Sequence, residues 1–222
     1  MAKSRGHKRS AKKASTRAGK AKPTKGYTRT IGAYRDIGVV EKKYLDLTFN
    51  AGAATAGVTS GGFLFPITVG STPNQRVGNK ITVTNFNLQG EVSNGIGANN
   101  FQSSRHRVIL FWDKQCNGLA ATVLDVLKTA TVDSFRNLDQ VSRFVIVKDK
   151  FYTTHTPAML AAGSAETCAP VKLSWKGAMT VNYGATGGVI SDIRSMNLGV
   201  IVISDLSSGN FSFNCRTKYV DL

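Results

Sequence analysis

In NFSFNCRTKYV, residues 210–220, one face is set apart on every second position. Phe211, Phe213, Cys215, Thr217 and Tyr219 fall on one side, and Ser212, Asn214, Arg216 and Lys218 on the other. Such a period of two fits an extended strand with one face buried. KKYLDLTFN (42–50) repeats the pattern, with Leu45, Leu47 and Phe49 opposite Tyr44, Asp46 and Thr48. RHRVILFWD (105–113), SRFVIVKDKFY (142–152) and NLGVIVISD (197–205) are denser apolar runs of the kind found in buried strands. VKLSWKGAMTVNY (171–183) reads as extended, with Gly177 marking a kink or turn. FLFPITV (63–69) is apolar, but Pro66 demotes it to an edge strand or none. RVGNKITVTNFNLQGEV (76–92) is the longest strand. Its phase slips from Ile81 and Val83 to Phe86, Leu88 and Val92, which predicts a bulge near Thr84–Asn85 or a change of neighbours there.

Between these runs, AGAATAGVTSGG reads as a small-residue loop and NGIGANN as a turn. AATVLDVLK (120–128) is the one helix, with Val123, Leu124 and Leu127 on one side. About eight strands and one short helix exclude a doubly wound sheet, because strands do not alternate with helices. No internal repeat supports a propeller. The fold is all-β: an antiparallel sandwich, a jelly roll or a barrel.

The charge is placed unevenly. The chain of 222 residues carries a formal net charge of +16. Twelve basic residues fall in residues 1–35: Lys3, Arg5, Lys8, Arg9, Lys12, Lys13, Arg17, Lys20, Lys22, Lys25, Arg29 and Arg35. The first carboxylate is Asp36, and residues 36–222 hold 17 bases against 13 acids. Residues 1–35 have too little apolar area to offset the entropy of ordering, so they are expected to be a disordered arm, with one domain over 36–222. The arm offers no amphipathic face for a mitochondrial transit peptide and no apolar core for a secretory signal. No apolar run is long enough to span a membrane, so no membrane insertion is expected.

Such an arm suits a polyanion. Each Lys or Arg set against a phosphate releases a condensed counterion, giving salt-dependent, sequence-blind binding. Aromatic residues are absent before Tyr27 and Tyr34, so base recognition is not its task. A solubilising leader is the bland alternative. His7, Lys8, Arg9, Lys12 and Lys13, in HKRSAKK, also read as a nuclear-import signal that host import receptors could engage. In the body, Arg105, Arg107, Arg136, Arg143, Lys148 and Lys150 are either an inner basic surface or ordinary solvated charge.

Catalytic patterns are missing. No GxxxxGK[ST], GxSxG or HExxH occurs, and His106 and His155 stand isolated. Cys116, Cys168 and Cys215 form no CxxC pair, which argues against structural zinc and for a reducing compartment. Asp133, Asp139, Asp149, Asp192 and Asp205 read as solvated loop carboxylates rather than ligands of a calcium ion. The expectation is a structural protein without cofactor or metal.

Three segments carry a resemblance. Arg76, Gly78, Asn79 and Ile81 match an "R-x-G-[DN]-x-I" entry to a long strand. Asp113, Gln115, Asn117 and Gly118 match a "D-x-Q-x-N-G" strand exit. Asn137, Arg143, Phe144, Ile146, Asp149 and Lys150 match a third segment, from which Val147 departs conservatively. In this order, behind a basic arm, they resemble coat proteins of small circular single-stranded DNA viruses that encode a replication initiator. The layout is also similar to single jelly-roll coat proteins of satellite plant viruses with RNA genomes. The resemblance implies one eight-stranded jelly roll and an icosahedral (T=1) virion shell of about 60 copies. It implies packaged single-stranded nucleic acid, DNA ahead of RNA, and assembly in the nucleus of a eukaryotic host. Over about 60 copies, twelve arm charges would place roughly 700 positive charges inside. The other reading is a low-order nucleic-acid-binding module of ribosomal or chromatin type. A jelly-roll enzyme or lectin would need clustered His, Glu or Asp in strand register, and no such cluster is seen.

Overall fold

β4 (Ser104–Asp113) and β8 (Asn197–Ser204) are buried on both faces, so each needs a cover on both sides. In the computed structural model, residues 41–52, 58–59, 64–94, 103–155, 168–205 and 209–221 are described. There β8 and β4 lie side by side inside a sheet ordered β2-β8-β4-β5, with β2 at Val58–Thr59 and β5 at Phe144–Thr154. The second sheet is ordered β1-β9-β3-β6-β7. Its strands are β1 (Lys42–Gly52), β3 (Lys80–Ser93), β6 (Cys168–Tyr183), β7 (Ile193–Ser195) and β9 (Asn210–Asp221). The pairs β4–β5, β3–β6, β2–β8 and β1–β9 nest one inside the next. The chain is thus one long antiparallel hairpin, rolled until β9 also meets β3 and β8 also meets β4. This is an eight-stranded jelly roll, with β7 as a short addition beside β6.

The two covers of the β8–β4 pair differ. On one face, Val108, Leu110, Trp112, Leu198, Val200 and Val202 meet Phe86, Leu88, Leu173, Phe211 and Phe213 of the other sheet. Each such side chain contributes about 1.5–3 kcal/mol on burial. Trp112 packs edge-on to Trp175 at 5.2 Å between ring centroids. On the other face, Ile109, Phe111, Ile201 and Ile203 are covered by Ala121, Val123, Val126, Leu127 and Val132 of the β4–β5 connection. Gly199 makes room there, since a Cβ on it would stand 2.5 Å from the Phe111 ring.

The phase slip in β3 is real: its register shifts between Val83 and Asn85 against both β6 and β9. Against β6, Gly177 and Ala178 stand opposite the single residue Thr84, so Gly177 marks a bulge in an unbroken strand rather than a turn. The stretch around Pro66 takes the second of its two readings, and two other expectations change. Residues 64–68 form no strand, although Leu64, Phe65 and Ile67 are buried. The strand in that stretch is β2, inside the segment read as a loop, and β7 was not foreseen. The helix α1 is one turn, Val123–Val126, started by a Thr122–Asp125 capping box. Leu127 is already extended and bridges to Arg136, so Val126 is buried and Leu124 is left 57% exposed.

Buried charges hold the ends of the roll. The Arg76 guanidinium donates to the carbonyls of Ile67, Gly78, Ala185 and Gly187 and to Asn79 Oδ1. It lies 4.1 Å from the Tyr183 ring centroid. Burial lowers the pKa of Arg76, while Tyr183, Asp192 and Asp221 oppose the shift. Lys43 is buried beside Leu45, and its Nζ meets Asp221 at 2.8 Å and the Gln75 carbonyl at 2.9 Å. Period-two reasoning did not foresee a lysine on the core face.

Asp113 is fully buried and grips Arg143 in a fork at 2.8 and 2.7 Å. Asp113→Asn should lower stability by about 3–5 kcal/mol in urea unfolding. The equivalent change in the exposed Asp46–Arg216 pair should barely move the midpoint. His106 is buried beside Thr154 and Asn94, and desolvation lowers its pKa, against the Asp205 field. The unfolded chain therefore binds a proton that the folded chain refuses. This contribution is complete above the ordinary histidine value and is lost as pH falls toward the lowered one. The melting temperature should drop between pH 7.5 and 5.5, and His106→Gln should flatten that drop.

Candidate nucleic-acid interface

The twelve basic residues of the arm, Lys3 to Arg35, lie outside the described residues, as do His7 and the import segment. Within the body, the structure separates the six cations weighed from the sequence. Arg105 forks onto Asp133 at 2.9 and 2.6 Å. Arg107 forks onto Asp149 at 2.8 and 2.7 Å and donates to the carbonyls of Val132 and Ser134. Arg136 donates to the Phe144 and Val141 carbonyls. Arg143 forks onto Asp113, which raises its pKa, mainly through that hydrogen bond. Arg107, Arg136 and Arg143 are scaffold, and Arg105 with Asp133 is an exposed pair. Lys148 and Lys150 are exposed and form no ion pair among the described residues.

The motif residues now have physical reasons. Gly78 and Asn79 supply oxygens to Arg76. Asp113 accepts from Gln115 N, and Asn117 and Gly118 take positive φ at the exit of β4. Asn137 donates to the Leu124 carbonyl at 3.0 Å. Of the five aspartates weighed as ligands, Asp133, Asp139, Asp149 and Asp205 face Arg or Lys, and Asp192 accepts from Val189 N.

The β1-β9-β3-β6 sheet has one face on the core and one in solvent. Register aligns its outward residues in rows across the four strands. One row is Tyr44, Lys218, Asn85 and Lys176; the next is Asp46, Arg216, Asn87 and Ser174. Then come Thr48, Asn214, Gln89 and Lys172, followed by Asn50, Ser212, Glu91 and Pro170. Four strands give a strip about 14 Å wide. Thr48 donates to Asn214 at 2.9 Å, Ser212 to Asn50 at 2.9 Å, and Asn87 to Asn85 at 2.6 Å. An open depression of about 630 Å³ lies among Asp46, Thr48, Asn87, Gln89, Lys172 and Lys218. Arg216 is forked onto Asp46, whose pKa is lowered mainly by that hydrogen bond. Lys172, Lys176 and Lys218 form no ion pair among the described residues. Tyr44 keeps 52% of its surface exposed, with the Arg216 guanidinium 5.6 Å from its ring centroid.

Amides both donate and accept, and lysine is a compact point charge on a flexible stem. A flat strip of both can hold phosphates and base edges without a fixed sequence code. Sequence reading missed this face because its lysines are divided between two strands, β6 and β9, far apart in the chain. The signal was present as Lys172 and Lys176, four apart on the polar side of VKLSWKG, and Lys218 on the polar side of β9. Only the register shows that they share a face.

Among known families, the one described as the satellite tobacco necrosis virus coat protein matches residues 11–222. No curated protein matches the chain.

If the strip touches cargo, replacing Lys172, Lys176 and Lys218 by Gln should lower the slope of log affinity against log salt by about 2 for a single-stranded oligonucleotide. Fluorescence anisotropy of a labelled oligothymidylate measures it. An unchanged slope would remove the strip from the binding surface.

Proposed function

The chain belongs to the family of the satellite tobacco necrosis virus coat protein, and from that premise we propose that it packages single-stranded nucleic acid in a small icosahedral shell. A coat protein is a structural component of the virion, and coat assembly is oligomeric. The finer reading is a closed T=1 shell of about 60 copies, with residues 1–35 as an interior arm and 36–222 as the shell-forming domain. The observation that carries the packaging reading is the charge asymmetry: twelve bases and no acid in residues 1–35, followed by a nearly balanced body. The arm neutralises phosphates through Lys3, Arg5, Lys8, Arg9, Lys12, Lys13, Arg17, Lys20, Lys22, Lys25, Arg29 and Arg35, and the lysine–amide strip is a second contact.

The DNA reading of the cargo rests on the three segments between residues 75 and 155. The family match favours the other of the two resemblances, the satellite coat proteins, for which the cargo is RNA. Treating nucleic acid extracted from the particles with a ribonuclease and, separately, a deoxyribonuclease distinguishes them. Nuclear import through His7, Lys8, Arg9, Lys12 and Lys13 belongs with the DNA reading.

Deleting residues 1–35 tests the arm. The truncated protein should keep its fold but leave its particles without nucleic acid, and its salt slope should fall by up to about 8. Absorbance ratios of purified particles and electron microscopy are the readouts. Equal packaging by the truncated protein would overturn the arm assignment. A wild-type protein that stays monomeric with and without nucleic acid would overturn the coat reading and favour a low-order nucleic-acid-binding module.

A further inference from the structure

Large apolar side chains left in solvent are concentrated in one part of this protein. Among the described residues eleven are exposed, and seven of these fall between Leu119 and Phe151. Five belong to the β4–β5 connection: Leu119 (72%) near its start, then a group of four, Leu124 (57%), Phe135 (86%), Leu138 (74%) and Val141 (48%). Backbone bonds tie their turns together. Asn137 joins the Leu124 carbonyl through its side chain and the Val126 carbonyl, at 2.8 Å, through its N–H. Lys128 N donates to the Phe135 carbonyl at 2.9 Å, and Val141 N to the Leu138 carbonyl at 3.3 Å.

The connection is two-sided. Val123, Val126, Leu127 and Val132 face inward onto the sheet, while Leu124, Phe135, Leu138 and Val141 face out. Its backbone is fixed from within by Arg107 on the Val132 and Ser134 carbonyls, by Arg136 on the Phe144 carbonyl, and by the Arg143–Asp113 fork. The outward side chains are thus carried on a braced support, which reduces the ordering cost of docking. The exposed Lys128–Asp139 pair at 3.3 Å supplies a polar rim.

We propose that Leu124, Phe135, Leu138 and Val141 form a contact by which one copy of this chain docks on another. The proposal rests on the coat reading and names a surface that assembly uses. A second copy is the occupant because a coat protein must bind itself, and because this patch has the wrong chemistry for nucleic acid. Its neighbouring arginines are committed to carboxylates and carbonyls, and Lys128 is matched by Asp139. Apolar residues on a rigid base, with a charged rim, are the anatomy of a protein–protein hot spot. A partner seated there would also shelter the free backbone edge of β5.

The test uses the full chain. Phe135→Ser/Leu138→Ser removes exposed apolar groups and no buried contact. It should raise the protein concentration needed for particles at least about tenfold. The subunit should keep its near-ultraviolet circular dichroism, its melting temperature and its oligonucleotide affinity. Phe135→Tyr/Leu138→Met, which keeps the apolar surface, should assemble as wild type. Leu138→Lys alone, on a solvated helical turn, is a second variant read in the same way should the double one lose its fold. Wild-type particle yield from the Ser and Lys variants would overturn the proposal while leaving the coat reading intact. Absence of particles from the wild-type chain itself would overturn both.

Discussion

β4 and β8 cannot show either face to water, and the rest of the molecule is arranged around that constraint. One face is covered by folding the chain back as a second sheet, which yields the nested hairpin of the jelly roll. The other is covered by a connection of about thirty residues with one turn of α-helix. A segment with so little regular structure cannot satisfy its own backbone groups, so side chains do it. Arg107, Arg136 and Asn137 take up its carbonyls, and the Arg143–Asp113 fork fixes where it rejoins the sheet. Covering Ile109 and Phe111 thus produces a braced outer surface as a by-product.

The two kinds of cation have different tasks. Arginine presents a planar fork that matches a carboxylate or several carbonyls at once, and six body arginines, Arg76 and Arg216 among them, are used that way. Lysine holds no such geometry, and Lys172, Lys176 and Lys218 stand on the polar sheet face with no ion pair among the described residues. Formal charge alone does not make this distinction. Arg105, Arg107, Arg136 and Arg143 read in the sequence either as an inner basic surface or as ordinary solvated charge; Arg107, Arg136 and Arg143 are structural members of the β4–β5 side, and Arg105 sits in a surface pair. Lys43 is the exception among lysines, held in the core by Asp221 and a carbonyl.

Alternation made much of the sandwich legible. The slip between Val83 and Phe86 located a bulge to within a residue, because each strand residue reports its own face. β2 and β7 escaped, being two and three residues long and too short to show a period. α1 was drawn too long because Leu127 fits a helical spacing, whereas the bridge to Arg136 pulls it into extended backbone. The sheet-face strip depends on which strands become neighbours, information held by topology and by no single segment. The three motif segments carried the likeness to single-stranded DNA virus coat proteins, whereas the family shown is the one that the layout of basic arm and jelly roll resembled; most of the motif residues brace the fold.

Lys43 stands two residues into β1, where the N-terminal segment enters the body. Any tension on that segment is delivered first to this strand. β1 is an edge strand, but it is matched to β9 along its whole length, from Lys42 opposite Val220 to Gly52 opposite Asn210. Its first turn inward is fastened by an ammonium inside the protein, gripped by Asp221 at the far end of β9. Both ends of the domain's chain are thereby secured at one point. Load applied at the start of β1 meets a riveted joint rather than a free seam.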